Sequence, residues 1–281
     1  NTLPYRCDSV TIKNYKVINC RPTSTEYNNT DGVDFDESTN SSLYNAFLYC
    51  GDDPMAVKNE FLTWNGKATM NTRNILHEKI VTYSNSASCK IGTKTMGQSM
   101  SNVTFKDIDI IKANRAMAID AIDNALIENI KFEDIRIEAT GILIDIQNTS
   151  KPSWRTTVNQ CIVKNTYFTN IASDANSTIS LNGISSQYNI NGINFSNFTV
   201  QGKPVTSKTD TDARWSIGSN VINITFNTIT TASQNHFDQN AQSFNLFHTN
   251  SDITFCLPDN AKDLIHLQIF NVQGRLVSDY K

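Results

Sequence analysis

Glycine and proline are scarce in this sequence, at 11 and 6 of 281 residues, and histidine is scarcer still at 4. So little glycine excludes collagen-like and linker sequence. The four histidines, His77, His236, His248 and His266, make no ligand cluster, and no Cys-x-x-Cys occurs. That spacing excludes a structural zinc site. No run of about 18 apolar residues exists, so no segment can cross a membrane as a helix. Charge of one sign is lacking too: Lys+Arg 24 stand against Asp+Glu 27, a formal charge of −3. This excludes a strongly basic nucleic-acid binder. The first residues, Asn1-Thr2-Leu3-Pro4, carry neither a basic nor an apolar leader region. They read as the start of a mature chain or of a piece cut from something longer.

The chain is 39% hydrophobic and 18% charged, enough apolar residue to bury a sizeable core and to exclude disorder for most of its length. Its length suits one large domain or two modest ones. Six cysteines, Cys7, Cys20, Cys50, Cys89, Cys161 and Cys256, are widely spread. An even count permits disulfides, but the spacing reads first as buried thiols. Asn-x-Ser/Thr sites at Asn28, Asn40, Asn102, Asn148, Asn176, Asn194, Asn197 and Asn223 follow from a chain rich in these residues.

The sequence repeats itself. Asn102-Val-Thr-Phe-Lys-Asp-Ile-Asp-Ile110 returns as Asn129-Ile-Lys-Phe-Glu-Asp-Ile-Arg-Ile137, and again around Phe168, Phe195 and Phe226. Aligning Phe105, Phe132, Phe168, Phe195 and Phe226 gives steps of 27, 36, 27 and 31 residues. Fainter copies sit around Ile12, Leu43 and His77, making eight at a step near 30. Such a period means a solenoid. Each copy alternates apolar and polar residues and fills the apolar slots with β-branched and aromatic side chains, which is strand periodicity. A second short strand follows each, as in Met55–Val57, Cys89–Ile91, Met117–Ile119, Ile142–Ile144 and Ile179–Leu181. The predicted fold is all-β, a single-stranded right-handed parallel β-helix over residues 1–230. Asparagine suits its corners, because it tolerates the left-handed conformation and stacks in ladders. His77 takes a slot that phenylalanine fills elsewhere, and so reads as a packed core histidine.

Residues 231–281 break the pattern. Ile253-Thr-Phe-Cys-Leu-Pro-Asp259 and Leu267-Gln-Ile-Phe-Asn-Val-Gln-Gly-Arg-Leu-Val277 resemble the C-terminal sorting domain of type IX secretion. The other reading is a β hairpin that caps the solenoid.

Chemistry concentrates in Asn29-Thr30-Asp31-Gly32 and Gly51-Asp52-Asp53. The spacing between them is somewhat less than one turn, so the carboxyls fall on neighbouring rungs about 4.8 Å apart. Like charges on one strand repel, which makes the trio a poor structural device. It is a good catalytic one, since glycosidic hydrolysis needs one acid to protonate the leaving oxygen and one carboxylate to activate water.

These motifs, followed by Ala56-Val57-Lys58 and by Ser86-Ala-Ser-Cys-Lys-Ile-Gly-Thr93 with Asn102-Val-Thr-Phe105, resemble glycoside hydrolase family 28, the polygalacturonases and rhamnogalacturonases. Ile193 to Val205 resembles the family's closing rungs, so the likeness spans roughly residues 5 to 230. It implies an inverting glycosidase in which Asp52 is the general acid and Asp31 and Asp53 hold and activate water. Two features depart. The family histidine falls within Ser86-Ala87-Ser88, where none stands, and its Arg-x-Lys pair falls on Ala118-Ile119-Asp120. A neutral glycan therefore fits better than a uronate, as in the related dextranases and isopullulanases of family 49.

Candidate substrate contacts are Asn29, Lys58, Trp64, Lys90, Lys94, Arg115 and Asp120. For Lys58 the alternative is a solvated strand end, and for Asp120 and Asp123 a solvated face. Trp64 and Trp154 either line one groove wall, roughly 14 Å apart along the axis, or pack on their own loops. No metal or organic cofactor is implied, and no nucleic acid or membrane partner. One rung precedes Asp31, with its strand at Val10 to Val17, so a missing segment or a partner chain is expected to cover the N-terminal end. The function read from the sequence is hydrolysis of an α-linked poly- or oligosaccharide by a secreted, periplasmic or cell-surface bacterial protein. Its rivals are a polysaccharide lyase, which the missing Arg-x-Lys disfavours, and a glycan-binding protein of hydrolase ancestry.

Overall fold

The computed structural model describes residues 2–19, 30–60, 71–148 and 160–227 in full, and four further strands by their backbone. Contacts divide the chain into two compact units, Asn1–Ile229 and Thr230–Lys281.

The first unit is a parallel β-helix. One face stacks eight parallel strands: β1 (Thr11–Asn19), β3 (Thr39–Cys50), β5 (Thr72–Ser84), β7 (Ser99–Asp120), β8 (Leu126–Ile137), β10 (Ile162–Ser173), β12 (Ile190–Val200) and β15 (Val221–Asn227). A second face stacks β2 (Val33–Asp36), β4 (Met55–Asn59), β6 (Ala87–Thr95), the end of β7, β9 (Thr140–Gln147), β11 (Thr178–Asn182) and β14 (Arg214–Ile217). The two-residue β13 (Lys203–Pro204) turns back on β12. Residues Thr2, Tyr5 and Asp8 bridge in parallel to Val33, Asp36 and Thr39, so the second face continues one rung above β2. In the second unit β16 (Asn245–His248) pairs with β17 (Ile253–Cys256), and β18 (Leu267–Phe270) with β19 (Leu276–Tyr280), both antiparallel.

The repeat alignment is the strand register. Ile12, Leu43, His77, Phe105, Phe132, Phe168, Phe195 and Phe226 pair in one unbroken column. From His77 to Phe226 the rings stack face to face at centroid separations of 4.8, 5.2, 5.0, 5.2 and 5.1 Å. Strand pitch imposes this spacing, and it coincides with a favourable aromatic separation.

Two further columns bend each strand of the first face. Asn40, Asn74, Asn102, Asn129, Asn165, Gly192 and Asn223 form one, and Asn14, Asn45, Lys79, Asp107, Asp134, Asn170 and Asn197 the other, all at positive φ. Asparagine enters this region at low cost and pairs along the stack. Asn74 Nδ2 donates to Asn40 Oδ1 at 2.8 Å, Asn102 to Asn74 at 3.1 Å, Asn129 to Asn102 at 3.4 Å and Asn165 to Asn129 at 3.5 Å. Gly192, at φ +77°, is the one glycine of the column; an added Cβ would stand 3.0 Å from Asn165 Oδ1.

Among the cysteines, Cys7, Cys89 and Cys161 carry thiols, and Cys50 is buried. Cys20 and the side chain of Cys256 lie outside the described residues.

His77 is the one imperfect member of the ring column. It is fully buried, and neither ring nitrogen has a hydrogen-bond partner. Burial pushes its pKa down to about 3, so it stays neutral in the fold. An orphaned buried polar group costs about 1–3 kcal/mol. His77→Phe is expected to stabilise the protein by about 1 kcal/mol, raising Tm by roughly 2–4 °C near neutral pH. The unfolded state takes up a proton near pH 6.5 that the folded state refuses, so the wild type loses stability as pH falls below that value. The advantage of the variant therefore widens down toward pH 4. Thermal melts across that range check this; a lower Tm for His77→Phe would show that the slot is too short for a six-membered ring.

Candidate active site

The second face of the helix places the acids. Gly32 N donates to Asp53 O at 2.9 Å, which sets Asp31 and Asp53 side by side on adjacent rungs. Only glycine permits this approach, because a Cβ on Gly32 would lie 2.3 Å from Pro54 O. Asp52 sits in the same turn and is more exposed than the buried Asp31 and Asp53. Its backbone oxygen accepts from Ser84 Oγ at 2.7 Å, which fixes the turn to the next rung.

Along the second face, apolar and polar residues alternate. Val33, Phe35, Met55, Val57, Cys89, Ile91, Met117, Ile119, Ile144 and Ile146 point into the core. The residues between them face outward yet are nearly all buried. Asp34, Ala56, Lys90, Ala118 and Asp145 form one outward column in register. The two alanines leave room for long side chains to cross the rungs.

Lys58 Nζ donates to Asp31 Oδ2 at 2.9 Å and to Asp34 Oδ2 at 2.6 Å. Burial works against its charge, but Asp34 and Asp31 override that and hold the ammonium protonated. Two carboxyls sharing one cation in a buried place cannot both ionise cheaply. Desolvation, with Asp31 beside it, pushes Asp34 up to about 7 despite Lys58.

Asp53 is gripped on both oxygens. Oδ1 accepts from Ser86 Oγ at 2.7 Å and from Ala87 N at 3.0 Å, and Oδ2 accepts from Lys90 Nζ at 2.6 Å. Lys90 Nζ also stands 3.6 Å from Asp120 Oδ2. Arg115 meets Asp120 with two parallel bonds, at 2.7 and 3.0 Å, and reaches Asp145 Oδ2 at 3.0 Å. Burial favours the neutral form of Asp120, but Arg115 and then Lys90 outweigh it and hold the carboxyl below its usual range. Asp145, touched by Arg115 on one oxygen only, is raised by burial.

The candidates named from sequence are thus sorted by the fold. Asp31 and Lys58 come together in one ion-pair cluster, and Asp53, Lys90, Arg115 and Asp120 in a second on the neighbouring rungs, with Asp52 at the border. Lys58 is not a solvated strand end, and Asp120 and Asp123 are not a solvated face: all three are largely buried. The carboxyl of Asp123 accepts from Thr95 N at 2.7 Å, a bond to the preceding coil that satisfies it in its buried place. Lys94 pairs with Glu60 at the margin. Asn29, Trp64 and Trp154 lie outside the described residues. Asp34 and Asp145 are the members that the sequence reading missed. Their signal was an acid between two core-facing apolar residues, in Val33-Asp34-Phe35 and Ile144-Asp145-Ile146. Among the described residues no group of histidine, cysteine and acid side chains is arranged to hold a metal ion, and no helix is long and apolar enough to cross a membrane.

Asp34 gives a testable pH dependence. The folded protein keeps a proton there up to about pH 7, whereas the unfolded chain releases it near 3.8. The contribution of Asp34 to stability therefore falls as pH rises from about 4 to 7, opposite in sign to that of His77. Asp34→Asn, which mimics the protonated form, is expected to match the wild type near pH 4 and to exceed it increasingly up to pH 7. Denaturant midpoints from pH 4.5 to 8 read this difference, and a flat difference would refute the raised carboxyl.

The comparisons with known proteins bear on the fold and the family. No curated protein matches the sequence significantly. Among solved structures, polygalacturonase from Erwinia carotovora ssp. carotovora superposes with a TM-score of 0.60 at 20% identity, over 79% of this chain and 53% of that one. The chain thus spans about half the length of that enzyme, and the likeness carries the right-handed β-helix fold. A family 28 exopolygalacturonase from Yersinia enterocolitica gives a TM-score of 0.31 at 14% identity, over 72% of this chain and 38% of that one. The family model of glycosyl hydrolases family 28 matches residues 4–217, and the chain belongs to that family.

Proposed function

We propose that the protein hydrolyses an α-linked poly- or oligosaccharide with inversion at the anomeric carbon. The observation that carries this reading is the placement of Asp31 and Asp53 on adjacent rungs with Asp52 in the same turn, in a chain of family 28. Asp52, the more exposed of the three, is the general acid that protonates the leaving glycosidic oxygen. Asp31 and Asp53, each against a lysine ammonium, orient and activate the attacking water. Arg115, Lys90 and Lys94 belong to the surrounding wall. The family and the sorting-domain likeness of the tail both support a secreted or cell-surface location in a bacterium.

One observation favours a second reading, a glycan-binding protein that has lost turnover. Asp53 already accepts three hydrogen bonds, which leaves its oxygens few directions from which to address a water. A reducing-end assay on polygalacturonate, rhamnogalacturonan, dextran, pullulan and a sulfated galactan separates the two. Hydrolysis of one member is expected, and Asp52→Asn is expected to reduce it by about 10²–10⁴-fold. The fresh product should carry inverted anomeric configuration by proton NMR. Activity that survives Asp52→Asn would remove Asp52 from the mechanism; binding without any product would establish the second reading.

A further inference from the structure

Among the described residues, the three cations that stand with Asp31, Asp53 and Asp120 on the outward side of the second face are each already engaged. Lys58 meets Asp31 and Asp34, Lys90 meets Asp53 and Asp120, and Arg115 meets Asp120 and Asp145. Five carboxyls therefore face three cations; with Asp34 keeping its proton up to about pH 7, the surplus is one negative charge below that pH, before Asp52 at the border is counted. The pairs are largely desolvated: the side chains of Lys90, Asp53 and Asp120 are 8%, 5% and 6% exposed. Attraction and repulsion both act strongly at such depth, where water screens little.

Asp120 is the junction of the network. It takes both parallel N–H groups of Arg115 and shares Lys90 with Asp53. A guanidinium clamped this way has its carboxylate-matching edge occupied. A sugar carboxylate arriving here would meet cations that are already paired and an excess of negative charge. A neutral sugar meets no such penalty, and its hydroxyls can both donate to the carboxyls and accept from the outer N–H groups.

We propose that Asp120 is a specificity-determining residue that closes this site to uronates and dedicates it to a neutral glycan. The proposal takes from the functional reading only that a sugar binds over this face.

Binding, measured apart from cleavage, tests it. In an Asp52→Asn background, affinities are measured by isothermal titration for α-1,4-oligogalacturonides, for the same oligomers after reduction of their carboxyls to alcohols, and for dextran and pullulan oligomers. The first two differ in charge alone. At least one neutral oligomer is expected to bind tenfold or more tightly than the oligogalacturonide. Asp120→Asn, which frees the paired edge of Arg115 and leaves Lys90 to Asp53 alone at nearly constant volume, is expected to raise oligogalacturonide affinity at least tenfold. Oligogalacturonide binding by the parent as tight as the best neutral oligomer overturns the proposal. So does the absence of binding to every neutral oligomer, or an Asp120→Asn variant that folds and keeps the parent's preference. Should that variant not fold, the parent's preference between the charged and reduced oligomers decides alone. Hydrolysis is judged separately from reducing ends released by the wild type, so neutral binding without turnover would sustain the specificity and sink the hydrolase reading.

Discussion

Every feature of this protein depends on the pitch of parallel strands. A rung repeats at about 4.8 Å, so whatever residue type recurs at one register position must tolerate its own copy at that distance. Rings tolerate it by stacking, asparagines by donating Nδ2 to the Oδ1 before them, and isoleucines by packing. Aspartates tolerate it only with a cation at hand: Asp31 and Asp53 on adjacent rungs each meet a lysine, and Asp107, one rung before Asp134, meets Arg136. The outward column of Asp34, Ala56, Lys90, Ala118 and Asp145 places no two acids on consecutive rungs.

That constraint explains why the candidate site is a network rather than a trio. Bringing Asp31 and Asp53 onto adjacent rungs creates a repulsion that the fold must offset. It does so with one lysine each, and those lysines in turn attract Asp34 and Asp120. The negative surplus has a physical consequence. Where one cation serves two carboxyls, as Lys58 does, one of them retains a proton to higher pH, and Asp34 is that one. Where Arg115 grips Asp120 with both nitrogens, ionisation is held instead.

How much of this the sequence disclosed depends on what each residue's neighbours are. The column from Ile12 to Phe226 was readable, because strand register copies sequence period and the aromatic slot is chemically distinctive. The asparagine corners were readable for a similar reason: few other residues accept a positive φ. Asp31, Asp52 and Asp53 stood out by motif and spacing. The pairing partners did not. Lys58 reads as a surface lysine and Asp120 as a solvated acid until the register shows Asp31, Lys90 and Arg115 within reach, and that register turns on the unequal lengths of successive coils. Asp34 and Asp145 were hidden more deeply, since an acid alternating with core residues is what any exposed strand looks like. That these strands are buried on both sides is a tertiary fact.

The two departures from the family pattern are one structural event. Position 87 holds alanine, in register with Asp53, and contributes only its backbone N–H to that carboxyl. The charge that Asp53 needs comes from Lys90, three residues on, across the rung. Lys90 in turn lies beside position 120, where the family likeness places a cation. A lysine there would set two ammonium groups within a few ångströms in a desolvated layer. The aspartate that stands there instead turns this repulsion into an attraction and engages Arg115 as well. The residues at the two positions are thus mutually consistent. Asp53 and Asp120 are thereby coupled through one amine, so under the proposed function the choice of sugar depends in part on the residue that holds Asp53 in place.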